Sequence, residues 1–247
     1  MKIFGYIPSR MGSKRLPGKA LKKIGKNTLT EQVYLNVLKF KKWNSLEVAT
    51  CDKEIKYLLK KKNIPFVMTS KKHTRCLDRV CEAVIKNKKI NEKDIIVCIQ
   101  GDEIMVSASM INKLTLPFKN PNCNSTILTM KINDKYEYLD RNVVKIITNK
   151  EGKALIGSRS SLPFMSKFKK GIAKKIIGVY AFRFKALMQF RNTSQTFLEK
   201  IESCDTNRVC ETTQDMYAVN YPFKKIIAID TIKDLKKVRN IFRKYRS

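Results

Sequence analysis

Histidine is almost absent from this 247-residue chain, where His73 stands alone. A triad built on an imidazole therefore has one candidate base. No serine or cysteine stands in an evident relation to it, so a plain loop role for His73 is the favoured reading. Cysteine occurs seven times but never as CxxC. That spacing argues against a structural zinc site, and the odd, scattered number argues against a disulfide framework. Reduced thiols are expected. No apolar run approaches the roughly 20 residues that cross a bilayer. The N-terminus passes from one lysine straight into a strand-like run and a polar loop, unlike a secretory signal. A cytoplasmic protein without a membrane partner is the expectation. Acidic residues are scarce, 21 against 52 basic ones, for a net charge of +31. Arginine is scarce as well, 12 of those 52. Nucleic-acid binders tend to cluster arginines with aromatic residues. Here lysine is spread over nearly every segment, which reads as solvated surface charge that can also draw in small polyanions. A basic nucleic-acid-binding protein on a degenerate enzyme fold is the alternative of another class.

At 43% hydrophobic residues the chain can bury a proper core. The pattern alternates: KIFGYIP is strand-like, and TLTEQVYLNVLKF is helical in spacing with Thr28 or Thr30 as cap. LEVAT precedes a helix opened by Asp52. IPFVMT precedes LDRVCEAVIKN, and DIIVCIQGDE precedes a helix capped by Ser107. STILTMKI is a further strand. Strand then helix, repeated, predicts βαβ units and a parallel sheet. After about Asn133 short β-like runs joined by turns predict an antiparallel excursion, at about 133–185, within a single domain spanning 1–247. FLEKIESCDTNRVCE reads as one helix, MYAVNYPFKKIIAID as strands, and TIKDLKKVRNIFRKYRS as an amphipathic helix capped by Thr231.

Three segments carry candidate chemistry. The loop Ile7 to Leu21, IPSRMGSKRLPGKAL, follows the first strand and holds Arg10, Lys14, Arg15 and Lys19 together with Ser13, Gly12 and Gly18. Arginine offers phosphate a planar fork and lysine a mobile point charge, while glycines let backbone amides approach. It matches neither GxxxxGK[ST] nor GxGxxG. A basic surface loop is the competing reading. Gln100-Gly101-Asp102-Glu103 ends a central strand, where ligands of open α/β sheets bind and where a carboxylate can hold magnesium. A tight acidic turn is the competing reading there. Asp230 also ends an apolar run. It could converge on the same metal, or Asp230 and Thr231 could simply start a helix.

These pieces together resemble the cytidylyltransferases that activate 3-deoxy-octulosonate sugars, the CMP-Kdo synthetases. The similarity runs in order through IPSRMGSKRLPGKAL, VATCD, MTSKKH, IQGDE, NVVKII, GKALIGSRSSLP, IGVYAFR, LEKIE and IDTIKDL. The resemblance implies an α/β, Rossmann-like (GT-A-like) nucleotidyltransferase fold, with a mostly parallel central sheet and a smaller antiparallel dimerisation excursion. It implies that CTP and an acidic sugar give a CMP-sugar and pyrophosphate, with Mg2+ as cofactor and a homodimer as the assembly. Arg10, Ser13, Arg15, Lys19, Arg79 and Gln100 would bind nucleotide. Asp102 and Asp230 would hold magnesium. Gln100, Arg159, Tyr180 and Asp205 would meet the sugar. Arg10, Arg15, Lys19, Asp102 and Asp230 would form the catalytic set. The chain departs from the family pattern at Arg75-Cys76-Leu77, where small residues are usual, at Ile176 in place of a histidine, and at Asp205-Thr206. The last two changes fall on the sugar side. The acceptor is therefore open among a 3-deoxy-octulosonate, a nine-carbon keto acid, an amino sugar and a phosphonate.

Overall fold

The computed structural model describes residues 1–212 and 214–244. In chain order its strands are β1 (Ile3–Ser9), β2 (Lys23–Ile24), β3 (Asn27–Thr28), β4 (Trp43–Thr50), β5 (Phe66–Met68), β6 (Ile95–Ile99), β7 (Ser125–Lys131), β8 (Lys145–Thr148), β9 (Ala154–Ser158), β10 (Lys174–Arg183) and β11 (Tyr217–Tyr221). The helices are α1 (Leu29–Leu38), α2 (Lys53–Lys61), α3 (Cys76–Lys86), α4 (Ala108–Thr115), α5 (Lys135–Leu139), α6 (Phe184–Asn192), α7 (Phe197–Glu202), α8 (Asp205–Cys210) and α9 (Ile232–Lys244). The chain divides into two compact units, one formed by 1–111 with 225–247 and the other by 112–224.

The first unit holds the expected parallel sheet. β1 pairs with β6 on one side and β4 on the other, β4 pairs with β5, and all three pairings are parallel. Every residue of β1 and of β6 is buried. Strands covered on both faces need continuous apolar runs, which is what IFGYI and IIVCI supply. α3 packs on β1, β4 and β6, α1 on β4, and α2 on β5. α1 begins with a capping box: the Thr28 hydroxyl accepts the Glu31 amide, and the Glu31 carboxylate accepts the Thr28 amide. Thr28, not Thr30, is thus the cap. α9 closes on the β2–β3 ribbon, where Arg239 donates to the Lys23 carbonyl at 2.9 Å.

The second unit contains the antiparallel excursion. β7 pairs antiparallel with β10, β10 with β8 and β8 with β9, while β11 joins β7 in parallel. Two expectations are corrected here. The segment 197–210 is two helices, because Ser203 sits in the left-handed region (φ 51°) and breaks the ladder between α7 and α8. After β11, residues 222–230 run without strand pairing.

α8 is fastened from within. Asn207 accepts the Gly157 amide at 2.8 Å and donates to the Gly157 carbonyl at 2.9 Å. Arg208 meets Glu199 through two bonds of 2.7 and 2.6 Å, with the side chains 3% and 0% exposed, and its guanidinium lies 4.0 Å over the Phe190 ring. Removing one partner of a buried pair strands the other charge. Arg208→Ala should therefore cost about 3–5 kcal/mol, whereas the double variant Glu199→Leu/Arg208→Met should cost less than either single change. Urea-unfolding midpoints check both outcomes.

Candidate functional site

The end of β1 feeds the basic loop, and the loop's own backbone folds it. The Met11 carbonyl accepts the Ser13 amide at 2.9 Å and the Gly18 amide at 3.2 Å. Gly18 adopts φ 66°, a conformation that disfavours side chains, and leads into the short 3-10 turn Lys19–Leu21. The Ser13 hydroxyl accepts the Leu16 amide at 3.4 Å, and Leu16 is buried. Both ends of the loop are tied to Thr30, whose hydroxyl pairs with Ser9 at 2.9 Å and donates to the Ala20 carbonyl at 3.0 Å. Arg10, Lys14 and Arg15 stand exposed along this loop.

Lys19 turns inward. Its Nζ donates to Asp102 Oδ2 at 2.7 Å, to Asp230 Oδ1 at 3.1 Å and to the Ile229 carbonyl at 3.2 Å. Arg15 Nη2 reaches the same Asp230 oxygen at 2.9 Å. Burial pulls the Lys19 ammonium towards neutrality, but the charges and hydrogen bonds of Asp102 and Asp230 outweigh it and raise its pKa. Asp102 keeps its other oxygen, Oδ1, buried without a hydrogen-bond partner. The turn that carries Asp102 lies tight against β1: a Cβ on Gly101 would meet the Pro8 carbonyl oxygen at 2.6 Å. The Asp102 carbonyl also accepts the Ile229 amide at 3.1 Å, which sets the segment before Asp230. Asp230 is then followed by a helix start at Thr231, where Thr231 and Asp234 exchange amide bonds of 2.9 and 3.2 Å. The sequence reading of a Thr231 cap and of two converging carboxylates describes the same few residues.

Other expected residues are placed differently. Gln100 is partly exposed, and its amide donates to Cys76 Sγ at 3.3 Å. The departure from the small-residue pattern thus puts a thiol beside Gln100. Arg79 is 2% exposed. Its guanidinium donates to the Thr69 hydroxyl at 2.5 Å and to the carbonyls of Ser70 and His73, both at 3.2 Å, so it shapes the 69–73 loop from inside. His73 in turn meets Glu82 at 2.5 Å. Glu82 resists the burial that would raise its pKa. Bonds from Lys86, the Ser70 amide and His73 hold it down at about 2. That is the plain loop role expected of the lone histidine.

Arg159, Tyr180 and Asp205 belong to the second unit. Arg159 is held at the end of β9: its Nε donates to the Glu202 carbonyl, its Nη1 to the Arg141 carbonyl, and its own carbonyl receives the buried Lys145 ammonium at 2.9 Å. Tyr180 and Asp205 are buried, 3% and 6% exposed. Among the described residues no group of three or more His, Cys, Asp or Glu side chains could hold a metal, no disulfide joins the cysteines, and no helix is long and apolar enough to cross a membrane.

Sequence reasoning missed two residues of this site. Cys76 stood out only as part of the Arg75-Cys76-Leu77 departure from the family pattern, which did not foretell its contact with Gln100. Asp52 was read as the opener of α2, yet its carboxylate accepts the Met11 amide of the basic loop at 2.8 Å.

A family profile described as Cytidylyltransferase matches residues 5–226. Among curated proteins the chain is similar to the 3-deoxy-manno-octulosonate cytidylyltransferases of Lawsonia intracellularis and Pelobacter propionicus. It is 34% identical to the first over 96% of this chain and 93% of that one, and 32% identical to the second over the full length of both. Among solved structures it is similar to a CMP:2-keto-3-deoxy-manno-octonic acid synthetase complexed with CTP, with 25% identity, a TM-score of 0.88 and coverage of 99% and 100% of the two chains. A cytidylyltransferase from Leptospira borgpetersenii shares the fold at 16% identity and a TM-score of 0.60.

Two outcomes follow for the first unit. Gly101→Ala forces the acidic turn off the Pro8 carbonyl and should cost about 1–3 kcal/mol, read as a lowered thermal midpoint. The raised Lys19 pKa stabilises the fold fully below the ordinary lysine value of 10.5, and this stabilisation fades as pH climbs through the higher folded value. Wild type should accordingly lose stability more steeply above that pH than Lys19→Met, a comparison made by denaturant titration at successive alkaline pH values.

Proposed function

Because this chain belongs to the cytidylyltransferase family, we propose that it joins the cytidylyl group of CTP to the anomeric hydroxyl of an acidic sugar of the 3-deoxy-octulosonate type, releasing pyrophosphate. The observation that carries the reading is the Lys19 ammonium shared by Asp102 and Asp230, on a loop that also presents Arg10 and Arg15. The names of the curated relatives support the sugar, and the solved relative complexed with CTP supports the nucleotide.

The sugar hydroxyl oxygen attacks the α-phosphorus in line. The bond from that phosphorus to the pyrophosphate oxygen breaks, and the hydroxyl proton passes to solvent. Arg10, Arg15 and Lys19 neutralise charge on the leaving pyrophosphate. Ser13 and the loop amides add donors. Gln100, steadied by Cys76, lies at the nucleotide or sugar, and Arg79 acts by holding the 69–73 loop in shape. In the second unit we assign Arg159 to the sugar carboxylate, with Tyr180 and Asp205 as its neighbours on the sugar side.

Asp102 and Asp230 fit a magnesium ion. Both are oxygen donors, as a hard cation requires, and the buried Oδ1 of Asp102 lacks a hydrogen-bond partner within the protein. A magnesium ion held there would supply positive charge against that of the triphosphate. Lys19 bridges the two carboxylates before the substrates arrive.

We further propose a cytoplasmic homodimer joined through the β8–β10 region, which exposes Leu155, Phe164 and Ile172. Light scattering of the purified protein at twice the chain mass would support the dimer.

The direct experiment incubates the protein with CTP, magnesium and a panel of acidic sugars, then weighs the products. A CMP adduct of a 3-deoxy-octulosonate and an equal amount of pyrophosphate are expected. Asp102→Asn should lower kcat by about 100-fold or more. Chelation of the metal should stop turnover, and added magnesium should restore it. No pyrophosphate from any acceptor, with Asp102→Asn indistinguishable from wild type, would overturn the proposal.

A further inference from the structure

Asp52 occupies a position where an aspartate has a ready task. It precedes α2, and its backbone adopts the extended geometry of an N-cap (φ −100°, ψ 132°). Aspartate is among the best N-caps because its carboxylate can accept the free amides of the first turn. Here that side chain makes no hydrogen bond to the helix. It points to the basic loop instead, where Oδ2 accepts the Met11 amide at 2.8 Å across 41 positions of sequence. The Cys51 thiol approaches the same oxygen at 3.6 Å.

Met11 is the residue on which the loop turns. Its carbonyl gathers the amides of Ser13 and Gly18. Gly18 starts the turn that delivers Lys19 to Asp102 and Asp230. One long-range bond from Asp52 thus fixes the residue that orders both bends of the loop. A hydrogen bond to an ionised acceptor is among the stronger ones available. A local rule left unfulfilled, with the side chain spent elsewhere, marks a functional constraint.

We propose that Asp52 is a positioning residue: through Met11 it holds the loop in the shape that presents Arg10, Arg15 and Lys19 to a triphosphate. The proposal rests on the reading of that loop as the CTP site, and it takes Asp52 to act on the loop without touching substrate.

Three variants separate this role from helix capping. Asp52→Ser keeps an excellent cap for α2, but its side chain is too short to reach Met11. Asp52→Asn keeps both the length and an acceptor oxygen. Asp52→Ala removes both functions. With CTP varied and the sugar saturating, Asp52→Ser and Asp52→Ala should raise the KM for CTP about tenfold, the size expected for one lost charge-assisted bond, with kcat changed far less. Asp52→Asn should stay within about threefold of wild type, the equivalent of well under one such bond. The KM for the sugar should not move. Hydrogen–deuterium exchange without substrate gives a second reading: a peptide covering the loop should exchange faster in Asp52→Ser than in wild type or Asp52→Asn. Wild-type exchange and wild-type KM in Asp52→Ser would overturn the proposal. If wild type itself turns over no CTP, the cytidylyl reading fails, and the exchange measurement still decides whether Asp52 orders the loop.

Discussion

Lys19 and Asp230 are 211 positions apart, and the ammonium of the first lies between the carboxylate of the second and that of Asp102. Much of the first unit is arranged to make that meeting possible. β1 must be buried and straight enough to launch the loop, the loop must fold back at Gly18, and β6 must end close to β1 so that Gly101 can pass the Pro8 carbonyl. The segment before Asp230 must be tied to the Asp102 backbone. The ammonium between the two carboxylates offsets the repulsion they would otherwise exert on one another.

Much of this was legible in the sequence. The continuous apolar runs of β1 and β6 announced a sheet covered on both faces, and the strand-then-helix rhythm announced its parallel order. Thr28 and Thr231 were readable as caps because capping is local chemistry between residues three apart. The meeting of Asp102 and Asp230 was legible because both lie at ends of apolar runs, where side chains meet beyond the strands, whereas Lys19 was legible only as one cation of the basic loop.

What escaped was the direction taken by polar side chains with a choice of partners. Asp52 could serve α2 or the loop, and only the folded chain shows which. Arg79 has a fork that could reach outward to a phosphate, yet its donors go to the carbonyls of its own neighbouring loop. Nothing in Glu202-Ser203-Cys204 signals a break by glycine or proline, so the left-handed Ser203 between α7 and α8 was hidden as well. The surplus of lysine, by contrast, masked little. The loop's two arginines, set against so few elsewhere, already marked it off from the general surface charge.

The first unit is discontinuous: its opening 111 residues are completed only by residues from 225 onward. This imposes an order on synthesis. A chain still emerging from the ribosome has its basic loop, Lys19 and Asp102 long before it has Asp230. Through that interval the ammonium has one carboxylate where the finished protein gives it two, and Arg15 lacks the oxygen it will hold. The cluster can therefore close only once residue 230 has been made, and a product truncated before Asp230 would leave Lys19 and Arg15 without that carboxylate.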